Sequence, residues 1–147
     1  MAEKKDLPEI LDLCEQHHKS VAFGALPFSR KKVYQTLTKA LEAGPEEAVL
    51  LVSTDRTRIV GVFLAVRSEV SFSDELVASE LAFWVLPGYR KSRRLLDLVS
   101  AFEYWARHYA KVNYAILSKT PLQDATERSF SRLGYRTIET NYLKKIT

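Results

Sequence analysis

The sequence predicts a mixed α/β fold, with a mostly antiparallel sheet that is split by one parallel pair and flanked by about four helices. Helical and strand patterns follow each other in the order ααββ-β-α-β-α-β. The nearly continuous apolar run 80–86 is typical of a central strand buried on both faces. A helix-length segment separates it from the next strand pattern, which favours a right-handed parallel crossover. The length of 147 residues is that of one domain, so we expect residues 1–147 to form a single domain.

Each element follows from local residue chemistry. Apolar residues at helical spacing predict helices over 6–20 and 30–43, and a Gly-Pro pair ends the second. Two short apolar runs around a polar turn, 49–52 and 59–66, predict an antiparallel hairpin. The elements predicted after this hairpin are a loop over 71–74, the central strand 80–86, helices over 91–110 and 122–132, a strand over 114–117, and one or two closing strands within 135–146.

Composition and charge exclude several classes of protein. The only cysteine, Cys14, excludes an intramolecular disulfide framework and a cysteine zinc site, and we expect no metal. No apolar run reaches the roughly 20 residues that cross a bilayer. The charged start is not a signal peptide, so we expect a cytoplasmic protein without a membrane partner. The net charge of +4 suits an anionic ligand but is too small to indicate nucleic acid by itself.

The segment 85–95 joins the central strand to the long helix and carries the strongest chemical signal. Four of the five residues in 90–94 are cationic and none is acidic. Cations oppose the dipole at a helix N-terminus by about 0.3–1 kcal/mol each, whereas phosphates bind there readily. This pattern favours a bound anion, with a solvated basic turn or a nucleic-acid patch as the alternatives. By contrast, His17 and His18 end the first helix, where we expect capping or solvent exposure.

Three separated segments resemble the GNAT superfamily of acetyl-CoA-dependent N-acetyltransferases. They are the strand 80–85 running into Pro-Gly-Tyr-Arg at 87–90, the helix and strand that follow, and the run Arg-Ser-Phe-Ser-Arg-Leu-Gly-Tyr at 128–135. The opening Asp-Leu-Pro-Glu-Ile at 6–10 is similar to the start of that family's first helix. The resemblance covers residues 6 to 146 and implies the GNAT fold. The family's first strand has no counterpart before the first helix, so it is either lost or supplied by another chain.

The resemblance implies transfer of an acetyl group from acetyl-CoA to an amine by direct attack. Glu80 would be the general base that takes the proton of the amine, with a solvent-facing glutamate as the alternative. Main-chain N–H groups around Val85 and Leu86 would face the thioester carbonyl. The remaining residues assigned to the cofactor are Arg90, Lys91, Ser92, Arg93, Arg94, Leu95, Gln123 and Phe130.

The sequence departs from the family pattern at three of these positions. Arg93 and Leu95 stand where the family has small residues, which requires negative φ and side chains turned away from the diphosphate. The spelling Arg-Lys-Ser-Arg at 90–93 resembles a variant of divergent members, phage-encoded ones included. Phe130 stands where a tyrosine usually protonates the leaving thiolate. Losing that acid costs about 10²–10⁴-fold in rate, unless another tyrosine replaces it; the candidates are Tyr89, Tyr135 and Tyr142.

These departures leave two classes of function open. The first is an N-acetyltransferase whose partners are acetyl-CoA and an amine, either a small molecule or a protein. The second is a catalytically weak or inactive protein of the same fold that acts as a protein-binding or regulatory module. A missing first strand would leave a sheet edge open to a protein partner or to a second copy of the chain. Nucleic-acid binding is the least favoured reading.

Overall fold

The computed structural model describes residues 1–21, 25–90, 93–118 and 124–146. These parts of the chain contain four α-helices and four strands. The helices are α1 (Leu7–Ser20), α2 (Arg30–Glu42), α3 (Arg94–His108) and α4 (Asp124–Arg132). The strands are β1 (Ala48–Asp55), β2 (Arg58–Val70), β3 (Ser73–Val85) and β4 (Tyr114–Ile116).

The strands form one sheet in the order β1-β2-β3-β4. The first three are joined by hairpins and pair antiparallel, whereas β3 and β4 pair in parallel. This arrangement confirms the predicted mixed sheet with its single parallel pair. The helical crossover between β3 and β4 is α3, and it begins nine residues after the end of β3 in chain order, following a 3-10 turn at Pro87–Tyr89.

The sheet separates two apolar clusters. On one face α3 packs against β1, β2 and β3 around two fully buried rings, Phe63 and Phe102, whose centroids lie 4.7 Å apart. On the other face α1 and α2 cover a cluster that includes Ile10, Leu37 and Trp84. Burial of apolar surface on both faces of β2 and β3 is the main stabilising contribution of this arrangement.

The predicted loop at 71–74 is correct for residues 71 and 72, which form a turn, and wrong for 73 and 74, because β3 already begins at Ser73 and pairs with β2. The first four residues of β3, Ser73–Leu76, are all exposed. They belong to the two-stranded ribbon at the β2–β3 turn, where Val70 pairs with Ser73. Main-chain pairing holds such a ribbon without apolar burial, so its polar side chains look like those of a loop.

The predicted closing strands within 135–146 are also wrong. The described residues 135–146 form neither helix nor strand, and Ile138 and Tyr142 are exposed. The helix α4 ends at Arg132 as predicted, and Gly134 follows it with a φ of +89°, the left-handed conformation that glycine tolerates best. One physical reason for the missing strands is that β4 is only three residues long and offers little edge for pairing.

The start of the chain makes one main-chain hydrogen bond to the edge of β1. The N–H of Ala2 donates to the carbonyl of Leu50 at 3.0 Å, and the Ala2 side chain is buried. A 3-10 turn at Lys4–Asp6 then leads directly into α1. In the described residues no strand precedes α1, as the sequence predicts.

Candidate functional site

The edge of β3 opens immediately after its parallel pairing with β4. The parallel pairs run from Val77 opposite Tyr114 to Ser79 opposite Ile116. At that point β3 bulges: Ala65 of β2 lies opposite Glu80 while its neighbour Leu64 lies opposite Ala82. The intervening Leu81 has no partner in the β2 register, and 54% of its surface is exposed. A bulge bends a strand and ends regular pairing, so β3 leaves β4 here; we call residues 80–85 of β3 the open edge.

The main-chain groups of Val85 face this open edge. The N–H of Leu86 donates to the carbonyl of Val60 on β2 at 2.9 Å. Because successive residues in a strand turn their N–H and C=O groups to opposite sides, those of Val85 point away from β2. Leu86 was predicted with Val85 to face the thioester carbonyl, but its N–H is hydrogen-bonded to β2. Of the two residues, only Val85 offers its main chain to a ligand.

Glu80 lies at the start of the open edge and links it to the end of β4. Its Oε2 accepts the main-chain N–H of Ser118 at 3.0 Å. Burial raises the pKa of Glu80, and the hydrogen bonds from the main chain and side chain of Ser118 oppose that rise. The side chain is half-buried rather than solvent-facing. A carboxylate with a raised pKa at the point where two strands part is suited to accept a proton.

The start of α3 is uncapped by any side chain of its N-cap residue, Arg93. Arg93 has φ −63° and ψ −13°, and its outward side chain pairs with Asp97 at 3.3 Å. Leu95 is helical and buried in the core beneath α3. Both residues thus meet the backbone condition set by the sequence. The N–H groups of the first turn of a helix are suited to an anion. Lys91, Ser92 and Gln123 lie outside the described residues.

Arg94, predicted as a phosphate ligand, points instead to the end of β1. Its Nη1 donates to the carbonyl of Thr54 and, at 3.4 Å, to Ser53 Oγ. Its Nη2 pairs with Asp55 Oδ1 at 3.3 Å. The hydroxyl of Tyr89 donates to the other oxygen of Asp55 at 2.9 Å. These contacts fasten the start of α3 to β1, so we call Asp55, Tyr89 and Arg94 the anchored side of the junction.

Arg90 lies on the open edge. Its Nε donates to the carbonyl of Val85 at 3.0 Å, and its guanidinium carbon lies 4.1 Å from the centre of the Trp84 ring. His17 of α1 stacks on Trp84, with centroids 4.3 Å apart and planes 8° apart. Burial, aided by the positive charge of Arg90, lowers the pKa of His17 to about 4, so the imidazole is neutral at pH 7. We call His17, Trp84 and Arg90 the stacked side of the junction.

The stacked side could not be predicted from the sequence. His17 was expected to cap the first helix or to face solvent, whereas its ring stacks on Trp84 of β3. His17, Trp84 and Arg90 come from three different elements, and their spacing along the chain predicts no contact. The only local signal was a tryptophan at the end of the central strand, next to a basic turn.

Comparison with solved structures decides the fold. No family model and no curated protein matches the sequence. An aminoglycoside N-acetyltransferase AAC(6')-Iy solved with CoA superimposes with a TM-score of 0.73 at 16% identity, covering 99% of this chain and 91% of that one. The aminoglycoside 6'-N-acetyltransferase AAC(6')-IG from Acinetobacter haemolyticus gives 0.69 at 20% identity, over 99% and 97%. An acetyltransferase from Trypanosoma brucei gives 0.70 at 20% identity, over 99% and 96%. This chain has the GNAT fold.

Within this GNAT fold, Phe130 is a core residue. It is buried and packs against Phe83 and Tyr135, with centroids 6.5 Å and 5.7 Å away. The tyrosines considered as replacement acids lie elsewhere: Tyr89 donates to Asp55, and Tyr142 is almost fully exposed. The Tyr135 hydroxyl is buried, and both burial and the Glu103 carboxylate raise its pKa.

Two other features of the described residues bear on the ligands of this GNAT fold. No group of three or more histidine, cysteine, aspartate or glutamate side chains in them is placed to hold a metal ion. None of the described helices is both long and apolar enough to cross a bilayer.

Proposed function

We propose that this protein is an N-acetyltransferase that moves an acetyl group from acetyl-CoA to an amine by direct attack. One observation carries the proposal: the open edge of β3 begins at a half-buried carboxylate, Glu80, and leads toward the start of α3, where the N-cap residue Arg93 makes no side-chain cap. In this proposal Glu80 is the proton acceptor at one end of the open edge, and the start of α3 is the anion site at the other end. Neighbours of the same fold were solved with CoA or with a bisubstrate analogue, which supports this assignment.

The residues present suit the donor. Main-chain N–H groups in the first turn of α3, after Arg93, and the guanidinium of Arg90 would hold the diphosphate. The main chain of Val85 would meet the amide-bearing arm. When bound, acetyl-CoA supplies the acetyl group as an activated thioester.

The chain itself then supplies the proton acceptor and the donors. Glu80, positioned by Ser118, accepts the proton of the attacking amine. The N–H of Val85 is free of β2 and is available to polarise a carbonyl on the open edge. Phe130 has no hydroxyl, so it delivers no proton to the departing sulfur. Because a thiol has a pKa of about 8.5, departure as a thiolate is slower but not prevented.

A catalytically weak or inactive binding protein of the same fold is the second candidate. Two observations favour it: Phe130 is a core residue, and the Arg94 side chain is engaged with β1. In this case the fold and the open edge would persist without turnover.

Isothermal titration with CoA, followed by a thiol-release assay with acetyl-CoA, separates these candidates. The assay uses one amine at a time: kanamycin, spermidine, or a peptide with a free N-terminus. We expect CoA to bind, and we expect the thiol of CoA to be released from acetyl-CoA in the presence of one of the three amines. Binding without release from any of the three classes would favour the inactive module, and no binding at millimolar CoA would overturn the donor site in both.

Glu80→Gln tests the base. We expect turnover to fall about 10²–10⁴-fold with CoA affinity unchanged, because the glutamine oxygen still accepts from Ser118. Glu75→Gln, an exposed glutamate on the same strand, is the matched control and should leave turnover unchanged. Activity of the wild type should rise with pH through the raised pKa of Glu80 and lose that dependence in Glu80→Gln. Equal turnover in both variants would remove Glu80 from the mechanism.

A further inference from the structure

The Arg90 side chain is hydrogen-bonded to the main-chain carbonyl of Val85, an acceptor on the open edge that a ligand could use. Its Nε donates to the Val85 carbonyl at 3.0 Å, and Val85 is the residue whose main chain points away from β2. An amide-bearing ligand on this edge would need the same carbonyl. The side chain and such a ligand therefore compete for one acceptor.

The stacked side holds Arg90 in this position. The guanidinium lies 4.1 Å from the Trp84 ring centre, and a contact of this kind is attractive. Trp84 is itself buried, and His17 stacks on its ring. His17 is neutral at pH 7, so Arg90 meets no second cation at the indole. The contact is thus stable in the absence of ligand.

The start of α3 offers the same side chain a different partner once an anion is present. Arg90 precedes the N-cap residue Arg93 by three positions. A diphosphate bound there accepts charge-assisted hydrogen bonds, which are stronger than a bond to a neutral carbonyl. The Arg90 side chain therefore has two alternative acceptors: the Val85 carbonyl when no ligand is bound, and a diphosphate when one is bound at the start of α3.

We propose that Arg90 is a latch, which closes the open edge of β3 through Val85 and Trp84 and is drawn away by a diphosphate bound at the start of α3. The inference rests on the proposed donor site. It adds a ligand-free state in which Arg90 blocks the Val85 carbonyl. The two halves of CoA should then respond to Arg90 in opposite directions. Its diphosphate gains from the arginine, whereas its pantetheine arm has to displace it.

Arg90→Ala measured with pantetheine and with CoA tests the latch. We expect pantetheine, which has no diphosphate, to bind the variant about three- to tenfold more tightly than the wild type, because the Val85 carbonyl is freed. CoA should bind the variant about tenfold more weakly. Arg107→Ala is the matched control: it removes an exposed cation in the last turn of α3, away from Val85, so pantetheine affinity should stay unchanged.

The two tryptophans provide a second readout that needs no variant. In a ¹H–¹⁵N NMR titration with CoA, the indole N–H of Trp84 should shift as Arg90 leaves its ring. The indole N–H of Trp105 donates to the Pro45 carbonyl, which lies outside the stacked side, and should stay in place.

The outcomes separate the latch from the donor site. CoA binding to the wild type with unchanged or weaker pantetheine affinity in Arg90→Ala overturns the latch alone. A motionless Trp84 signal at saturating CoA overturns it as well. Failure of CoA to bind either protein at millimolar concentration overturns the donor site and the latch together.

Discussion

Arg90 and Arg94 lie four residues apart in one basic run, yet the structure uses them differently. Arg94 of the anchored side has several acceptors on β1: Ser53, Thr54 and Asp55. Arg90 of the stacked side has one main-chain acceptor, on the open edge, and one aromatic ring. A side chain held by several groups of its own protein is part of the scaffold. A side chain with one exchangeable acceptor remains available to a ligand.

The largest effect that would separate Arg94 from Arg90 is expected in the free energy of unfolding. Arg94→Ala should lower the free energy of unfolding by about 1–2 kcal/mol, because partly buried Asp55 loses its cation and Thr54 loses a donor. Urea denaturation at pH 7 measures the change, with Arg93→Ala as the exposed control. CoA affinity of Arg94→Ala should stay within about threefold of the wild type. A tenfold loss of CoA affinity in the folded variant would instead place Arg94 in the donor site.

An effect of about the same size or smaller concerns acid stability on the stacked side. The pKa of His17 lies near 4 in the folded chain against 6.5 for a free imidazole. Between these pH values the unfolded chain takes up a proton that the folded chain does not, so the free energy of unfolding falls as pH drops. His17→Phe keeps a ring on Trp84 and removes the titration.

We expect this variant to lose about 1–2 kcal/mol less than the wild type between pH 7 and pH 4, since the imidazole keeps some contact with water. Urea denaturation at the two pH values provides the measurement. Equal losses in both proteins would show that His17 titrates as an exposed histidine.

The smallest expected effect is at the other oxygen of Asp55. Tyr89→Phe removes one hydroxyl donor and leaves the pairing of Asp55 with Arg94 intact. The variant should unfold at a urea concentration between those of the wild type and Arg94→Ala, with CoA affinity unchanged. If Tyr89→Phe were more destabilising than Arg94→Ala, the ion pair would not be the main contact of the anchored side.

Local sequence patterns predicted the elements with strong hydrophobic periodicity. They failed for segments that form a strand, or fail to form one, according to whether a partner strand is present. The helices α1 and α2 begin and end within one residue of the predicted bounds, because their apolar stripes are continuous. The first four residues of β3 were predicted as loop or left unassigned because they are exposed and mostly polar. The closing strands predicted within 135–146 did not form, and Ile138 in this segment is exposed and has no partner strand among the described residues.

The candidate site was predicted only as far as neighbours in sequence determine it. The position of Glu80 and the basic start of α3 could be read from one continuous segment. The bulge at Leu81 depends on the register with β2, which no local pattern reveals. Asp55 lies 39 residues before Arg94, and its role follows only from folding. Four adjacent cations therefore could not be divided into scaffold and ligand residues beforehand.

The most direct test of the donor site is a backbone ¹H–¹⁵N NMR titration of the wild-type protein with CoA. We expect the largest amide shifts at Val85 and in the first turn of α3, at Leu95 and Leu96, where main-chain N–H groups would hold the diphosphate. Amides at the far tip of the β2–β3 hairpin, such as Phe72, should not move. An absence of shifts at millimolar CoA, or shifts concentrated at that tip, would contradict the assignment.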